Sequence, residues 1–367
     1  MKRALSIIIS ALTLISCDNM QYRVECLVSG DVSDNDTLYL ESYDDVISLR
    51  SRTDTAIVER GKVVFEGSIT GSEIRRFSVN GKHVNFILEP GTIVINLEEG
   101  LAHGTPLNDE MSQYTLSLVD LTDKYAKEWD RVSALSDVSR DEKSELLSQI
   151  MKEAHHHEFY LSKNIVDLHR SDALGQWAFL IGIASNECVT FGIYKDELTK
   201  AGSYVAMFPP IKRETARLHA QEKTCVGAQY IDVKLKSGTV DSIDVSMSKY
   251  IRDKDLYLVD VWAAWSEPCL QCRMYIESLY KRYKSHGFEV LSIAIGTNRQ
   301  EVNDVIRDFN ITHNVLYDSD MAFLNSYGVK SVPFLMLIDL NGKIIAKGIS
   351  PSALEHWIRT ELPHEEQ

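Results

Sequence analysis

Two cysteines three residues apart, Cys269 and Cys272 in WSEPCLQC, are the residues of this chain whose type and spacing could do redox chemistry. A thiolate attacks a disulfide and a second thiol nearby displaces the product, so such a pair suits thiol–disulfide exchange. No organic cofactor is implied, because the sulfurs themselves carry the two electrons. Residues three apart on a helix share a face, close enough for their sulfurs to meet. A disulfide between two fully helical residues is strained, and therefore easier to reduce and more oxidising. A second cluster, HHHE at His155 to Glu158, invites a metal reading. Adjacent helical residues point about 100° apart and do not converge on one ion, so a solvated helix face is expected there and no metal.

The elements that must position the thiol pair are legible from Cys225 onward as strand and helix in alternation. DLYLVDVWAAW (Asp255 to Trp265) is the near-continuous apolar run of a buried central strand. A helix follows from Pro268 to about Ser285, with Tyr275, Leu279 and Arg282 to Tyr283 keeping its period. GFEVLSIAIG (Gly287 to Gly296) reads as a second buried strand and Arg299 to Phe309 as a second helix. SVPFLMLIDLNGKIIAKG (Ser331 to Gly348) reads as a hairpin turning at Asn341 and Gly342, and Pro351 to Glu361 as a closing helix. The order is βαβ followed by ββα.

Upstream lie two regions of different period. From Gln21 to about Leu97, short alternating runs separated by turn residues predict an antiparallel all-β unit of sandwich type. Arg60 with Gly61 and Asn80 with Gly81 mark tight turns. At Leu107 the period lengthens: Met111, Tyr114, Leu118, Leu121, Tyr125 and Trp129 fall on one helical face, and helical signals continue to about Glu222. The domains expected are therefore a β domain over 21–105, a helical connector over 106–222 and an α/β domain over 223–367.

The chain has 367 residues, 44% hydrophobic, with only 8 prolines, enough for two or three domains with cores of their own. Its formal charge of −14 argues against nucleic acid and against electrostatic attachment to an anionic membrane surface. Lys2 and Arg3 precede an apolar run, Ala4 to Ile15, of signal-peptide length. The run ends in LISC, which resembles the bacterial lipobox, with Cys17 the residue that is acylated. The plainer reading is a cysteine that happens to end an ordinary signal peptide, or a buried N-terminal helix. An acylated Cys17 anchors the protein to a membrane, and no later segment is apolar enough to cross one. Cys26, Cys188, Cys225, Cys269 and Cys272 would then face a disulfide-permissive compartment. The first three are most simply small core residues, each with an outside claim to be a distant resolving thiol.

The C-terminal residues resemble the thioredoxin fold, in particular the TlpA-like thiol-disulfide oxidoreductases of the bacterial envelope. LVDVWAAWSEPC (Leu258 to Cys269) aligns without a gap with family runs such as DFWASWCGPC, and YGVKSVPFLMLIDLNGKI with the family's later motif. The resemblance implies that Asp260 is the buried acid, Trp262 and Trp265 the family tryptophans, Cys269 the second cysteine, and Pro333 a cis-proline facing the site. Ser266 takes the place of the first cysteine. N-terminally, F…LEPG…I…L (Phe86 to Leu97) with GTPLN (Gly104 to Asn108) resembles the uncharacterised β domain that precedes thioredoxin-like domains in lipoproteins of the Bacteroidetes.

Serine performs no disulfide chemistry, so Ser266 is expected to cap the helix or donate a hydrogen bond. The resemblance then implies an envelope thiol-disulfide oxidoreductase with a divergent site. Cys269 attacks, Cys272 resolves, Asp260 shuttles protons, and Val332 with Pro333, Trp265 and Ser266 shapes the substrate groove. Partners would be protein or small-molecule thiols and disulfides. A redox-inactive module binding a protein beside Pro333 is the alternative, and a single-thiol peroxidase or a metal site on the pair is a third reading. The protein is expected to sit in the cell envelope, facing the periplasm.

Overall fold

A computed structural model describes residues 20–28, 30, 32–43, 52–237, 243–296 and 298–362. The basic start, the apolar run and Cys17 lie outside the described residues. The chain divides into two compact units, one ending at Ile211 and the other beginning at Lys212.

The first unit opens with β1 (Gln21–Leu27), β2 (Thr37–Ser42), β3 (Arg52–Ile57), β4 (Lys62–Ser68), β5 (Glu73–Val79), β6 (Lys82–Leu88), β7 (Gly91–Asn96) and β8 (Leu101–His103). They form two four-stranded sheets, ordered β4-β1-β7-β8 and β3-β2-β5-β6. Alternation places Tyr22, Val24 and Cys26 of β1 inside while Arg23 and Glu25 reach solvent. Val24, Val63, Phe77, Phe86 and Ile93 are fully buried in this core. Cys26 belongs to it as well, and burial pushes its thiol up to about 12. Both turn pairs read from the sequence take the left-handed conformation that a two-residue hairpin needs: Arg60 and Gly61 have φ of 52° and 71°, Asn80 and Gly81 of 50° and 76°.

Helices α1 (Pro106–Ser133), α2 (Arg140–Leu168), α3 (Ala173–Phe179), α4 (Phe191–Ala201), α5 (Ser203–Ala206) and α6 (Pro209–Lys223) follow. On the face read from periodicity, Met111, Tyr114 and Tyr125 are buried, Leu118 and Leu121 partly so, and Trp129 is 38% exposed. These helices are not a free-standing connector: α1 to α5 belong to the same compact unit as the sheets. The joint is specific. Buried Asn108 donates to the Ile87 carbonyl at 2.7 Å and accepts from the Ile87 amide at 3.0 Å, while the Glu89 carboxylate accepts the Leu107 amide at 2.9 Å. The LEPG and GTPLN motifs are thus the two halves of one hydrogen-bonded corner that satisfies amides in the first turn of α1.

The second unit contains β9 (Lys234–Ser237), β10 (Asp244–Ser246), β11 (Leu256–Trp262), α7 (Glu267–Tyr283), β12 (Phe288–Ile295), α8 (Arg299–Asp308), β13 (Asn314–Asp318), α9 (Ala322–Tyr327), β14 (Phe334–Asp339), β15 (Ile344–Lys347) and α10 (Pro351–Glu361). The seven-stranded sheet has the order β10-β9-β13-β12-β11-β14-β15, with β11 parallel to β12 and antiparallel to β14. Every residue of β11 is buried, as its apolar run requires. Leu256 and Leu258 pack with Ile276 and Leu279 of α7 and Leu354 and Ile358 of α10. Tyr257, Val259 and Val261 pack on the other face with Phe323 and Tyr327 of α9. Sequence reading passed over β9, β10 and β13, which are three to five residues long and too short to show a period.

Candidate functional site

Central strand β11 delivers the chain to the start of α7, where Ser266 occupies the N-cap position. Its carbonyl accepts the Cys269 amide at 2.9 Å and the Leu270 amide at 3.1 Å. The expected cap is therefore made by the main chain. The Ser266 hydroxyl makes no cap hydrogen bond, a correction to the side-chain role read from the sequence. One turn on, Cys269 is wholly buried among Trp262, Ala294, Val302 and Tyr317, against which Val332 also packs. Cys272 packs against a different cluster, with Ile276 and Leu279, and its side chain reaches the surface. Both thiols are free. The Cys272 thiol donates to the Pro268 carbonyl at 3.2 Å, and burial pushes it up, with Arg273 pulling the other way.

These positions reverse the order expected of the pair. With no accessible surface, Cys269 is closed to a partner disulfide in this conformation, whereas Cys272 is open to one. The Val332–Pro333 bond is cis, both residues are partly buried, and they lead directly into β14, the neighbour of β11. Trp265 is 71% exposed, standing outside the core that holds Trp262 and Cys269. The structure thus brings Cys269 and Val332 to one cluster and leaves Trp265 on the surface beside it.

Asp260 is buried beneath α7, in the place read for it, yet its surroundings overturn the proton-shuttle role. Burial alone would raise its carboxyl, but the Arg273 guanidinium holds it below the usual carboxylate range. Arg273 donates from Nη1 to Oδ2 at 2.5 Å and from Nη2 to Oδ1 at 2.8 Å, and Ser292 Oγ donates to Oδ2 at 2.6 Å. A carboxylate engaged by a forked guanidinium in a water-excluded site is a poor proton acceptor. Arg273 also donates from Nε to the Cys269 carbonyl at 3.0 Å, and its guanidinium lies 4.8 Å from the Trp262 ring centre.

Sequence reading missed Arg273, Glu277, Ser292 and His313, all buried around this carboxylate. Glu277 accepts from the Thr312 amide and hydroxyl at 3.1 and 2.6 Å, and His313 Nδ1 lies 2.9 Å from its Oε2. A signal was present: Arg273 and Glu277 stand four and eight residues after Cys269, on the same helical stripe. Charged residues are ordinarily assigned to the solvent face, and that habit hid them.

The three histidines of HHHE have separate partners. His155 Nδ1 lies 3.3 Å from Cys188 Sγ, His156 packs on the Tyr160 ring at 4.7 Å, and His157 meets the Tyr125 hydroxyl. Cys188 and Cys225 are exposed, so neither is the small core residue expected of it.

Residues 225–357 match the Redoxin family. Residues 22–111 match a domain of unknown function, DUF4369. Among curated proteins, the chain is 28% identical over 95 residues to the thiol-disulfide oxidoreductase ResA of Bacillus subtilis, covering 26% of this chain and 52% of that protein. It is 33% identical over 93 residues to ResA of Geobacillus thermodenitrificans, covering 25% and 53%. The chain spans about half the length of the curated relatives it matches. Among solved structures, a thiol:disulfide interchange protein from a Bacteroides species aligns at 19% identity and TM-score 0.36 over 40% of this chain and 95% of that one. The fold is a thioredoxin-like C-terminal domain preceded by an all-β domain and a helical segment.

Proposed function

We propose that the C-terminal unit carries out thiol–disulfide exchange, with Cys272 entering first and Cys269 second. The observation that carries this order is exposure: Cys272 reaches the surface and Cys269 lies wholly buried one turn before it. The Cys272 thiolate attacks one sulfur of a partner disulfide and forms a mixed disulfide, and the departing sulfur takes up the proton that Cys272 released. The Cys269 thiol then loses its proton and displaces the second partner sulfur. The chain ends with a Cys269–Cys272 disulfide and the partner with two thiols; a dithiol partner runs the steps backwards. Partners of this reaction are protein or small-molecule disulfides, and the likeness to the ResA proteins supports that class. The test incubates the mature protein with a disulfide substrate and follows partner thiols and the two cysteines by mass spectrometry. Cys269→Ser should trap the mixed disulfide on Cys272, and Cys272→Ser should remove exchange.

A second reading follows from the same burial. With Ser266 buried where the family resemblance puts the first cysteine, and Cys269 enclosed, the domain binds a protein strand beside Val332 and Pro333 without redox chemistry. Thiols that both stay reduced under excess disulfide support it and exclude the exchange reading.

The basic start, the apolar run and LISC support a lipid anchor on Cys17 and a place in the bacterial cell envelope, facing the periplasm. Among the described residues no helix is long and apolar enough to cross a membrane. Metabolic labelling with a fatty acid should mark the wild-type chain and leave Cys17→Ser unmarked; equal labelling of both removes the anchor from Cys17.

A further inference from the structure

Asp260, Arg273, Glu277 and His313 are buried together with Ser292 beneath α7, and their hydrogen bonds locate the protons. Asp260 receives both Arg273 Nη atoms, at 2.5 and 2.8 Å. Were it protonated, a buried guanidinium would stand without a counter-charge, so Asp260 is a carboxylate and only accepts. The one hydroxyl hydrogen of Ser292 therefore goes to Asp260 Oδ2, and the serine turns a lone pair toward His313 Nε2 at 2.9 Å. That nitrogen must supply a hydrogen.

The opposite edge of the ring repeats the condition. Glu277 Oε1 receives the Thr312 hydroxyl at 2.6 Å and pairs with Lys281 Nζ at 3.0 Å, while Oε2 receives the Thr312 amide at 3.1 Å. A carboxyl group with those donors is ionised, and His313 Nδ1 lies 2.9 Å from Oε2. A bare nitrogen at either edge would set lone pair against lone pair in a buried place, which costs more than an ordinary lost hydrogen bond. Two further α7 side chains stand near the ring: Tyr280 turns edge-on at 5.5 Å, and Lys281 places a second cation on Glu277 from the exposed rim.

We propose that His313 carries a hydrogen on each ring nitrogen, so that Asp260, Arg273, Glu277 and His313 form a hydrogen-bonded quartet in which Lys281 shares Glu277 at the rim. His313 is then a positioning residue. Through Glu277 it fixes α7, and with it both cysteines, to β12 and to the segment entering β13. Through Ser292 it helps hold Asp260 out of proton exchange with the thiols, a role that rests on the exchange reading.

The test reads the ring directly, in the full chain labelled with ¹⁵N-histidine and assigned through backbone correlations, with the exposed His286 as internal comparison. In the folded protein both His313 ring nitrogens should show the shifts of hydrogen-bearing nitrogens. One bare nitrogen overturns the quartet. A second measurement follows the urea midpoint of Glu277→Gln in the wild-type and His313→Gln backgrounds. The drop should be larger beside His313 than beside glutamine, and equal drops overturn the proposal. In the ¹³C-labelled protein the Asp260 carboxyl signal should stay flat while Cys272 titrates, and a step in register with the thiol returns Asp260 to proton transfer. None of these readouts uses a substrate, so an intact quartet in a protein without exchange activity removes the exchange reading alone.

Discussion

Cys269 and Cys272 differ in a property that thiol reactivity requires beside thiolate character, access of a partner to the sulfur. Iodoacetamide should modify Cys272 in the folded protein and Cys269 at least about a hundredfold more slowly, because Cys269 reacts only when its cluster opens. Peptide mass spectrometry against time measures both, and equal rates would show that α7 does not shield Cys269. Ser266→Cys adds a thiol at the N-cap, outside the helix and three residues before Cys269. Air oxidation of that variant should join the introduced thiol to Cys269 and leave Cys272 alkylatable, since a bridge with one member outside the helix escapes the strain of a fully helical pair. The serine three residues before Cys269 was legible in WSEPCLQC. Which sulfur faces solvent was not, because helix spacing says which residues share a face and not which neighbours cover them.

At the scale of elements, the buried ion pair Asp260–Arg273 ties α7 to β11. Removing one partner strands a charge in the core, so Arg273→Met should lower stability by about 3–5 kcal/mol, and the double change with Asp260→Asn by less. Chemical denaturation of the single and double variants provides the comparison. Glu277 adds a pH dependence of definite sign. Burial would raise its carboxyl, yet His313, Thr312 and Lys281 bring it down from 4.5 to about 2. A depressed carboxyl contributes stability above its unfolded value that is lost as pH falls through the folded one, so the second unit should weaken between about pH 4.5 and 2. The loss amounts to about 3 kcal/mol at most. A Glu277→Gln chain should show a flatter acid limb over the same window. Helix α7 was predicted nearly to its ends, and the run of β11 named its burial. The polar stripe Arg273 and Glu277 escaped because its partners come from other strands.

For the whole molecule, two compact units with separate cores should unfold in two steps, and replacing Glu277 should change the acid response of the second transition alone. Calorimetry at neutral and acid pH checks both statements, and one transition that shifts as a block would contradict them. The connector expected over 106–222 proved to be largely part of the first unit, because Asn108 and Glu89 fasten α1 to the end of β6. Periodicity and turn residues alone determined that a β domain, a helical segment and an α/β domain follow one another, since these are local properties of the chain. Motif spacing alone determined that a cysteine pair stands just past the central strand, with Ser266 three residues before it. Tertiary structure decided which thiol is reachable and where the charge on Asp260 goes. Arg273 and Ser292 lie 13 and 32 residues from that carboxylate in sequence, and only the packing of α7 and β12 around β11 brings them to it. Burial and proton placement belong to the assembled neighbourhood, and no single segment contains them.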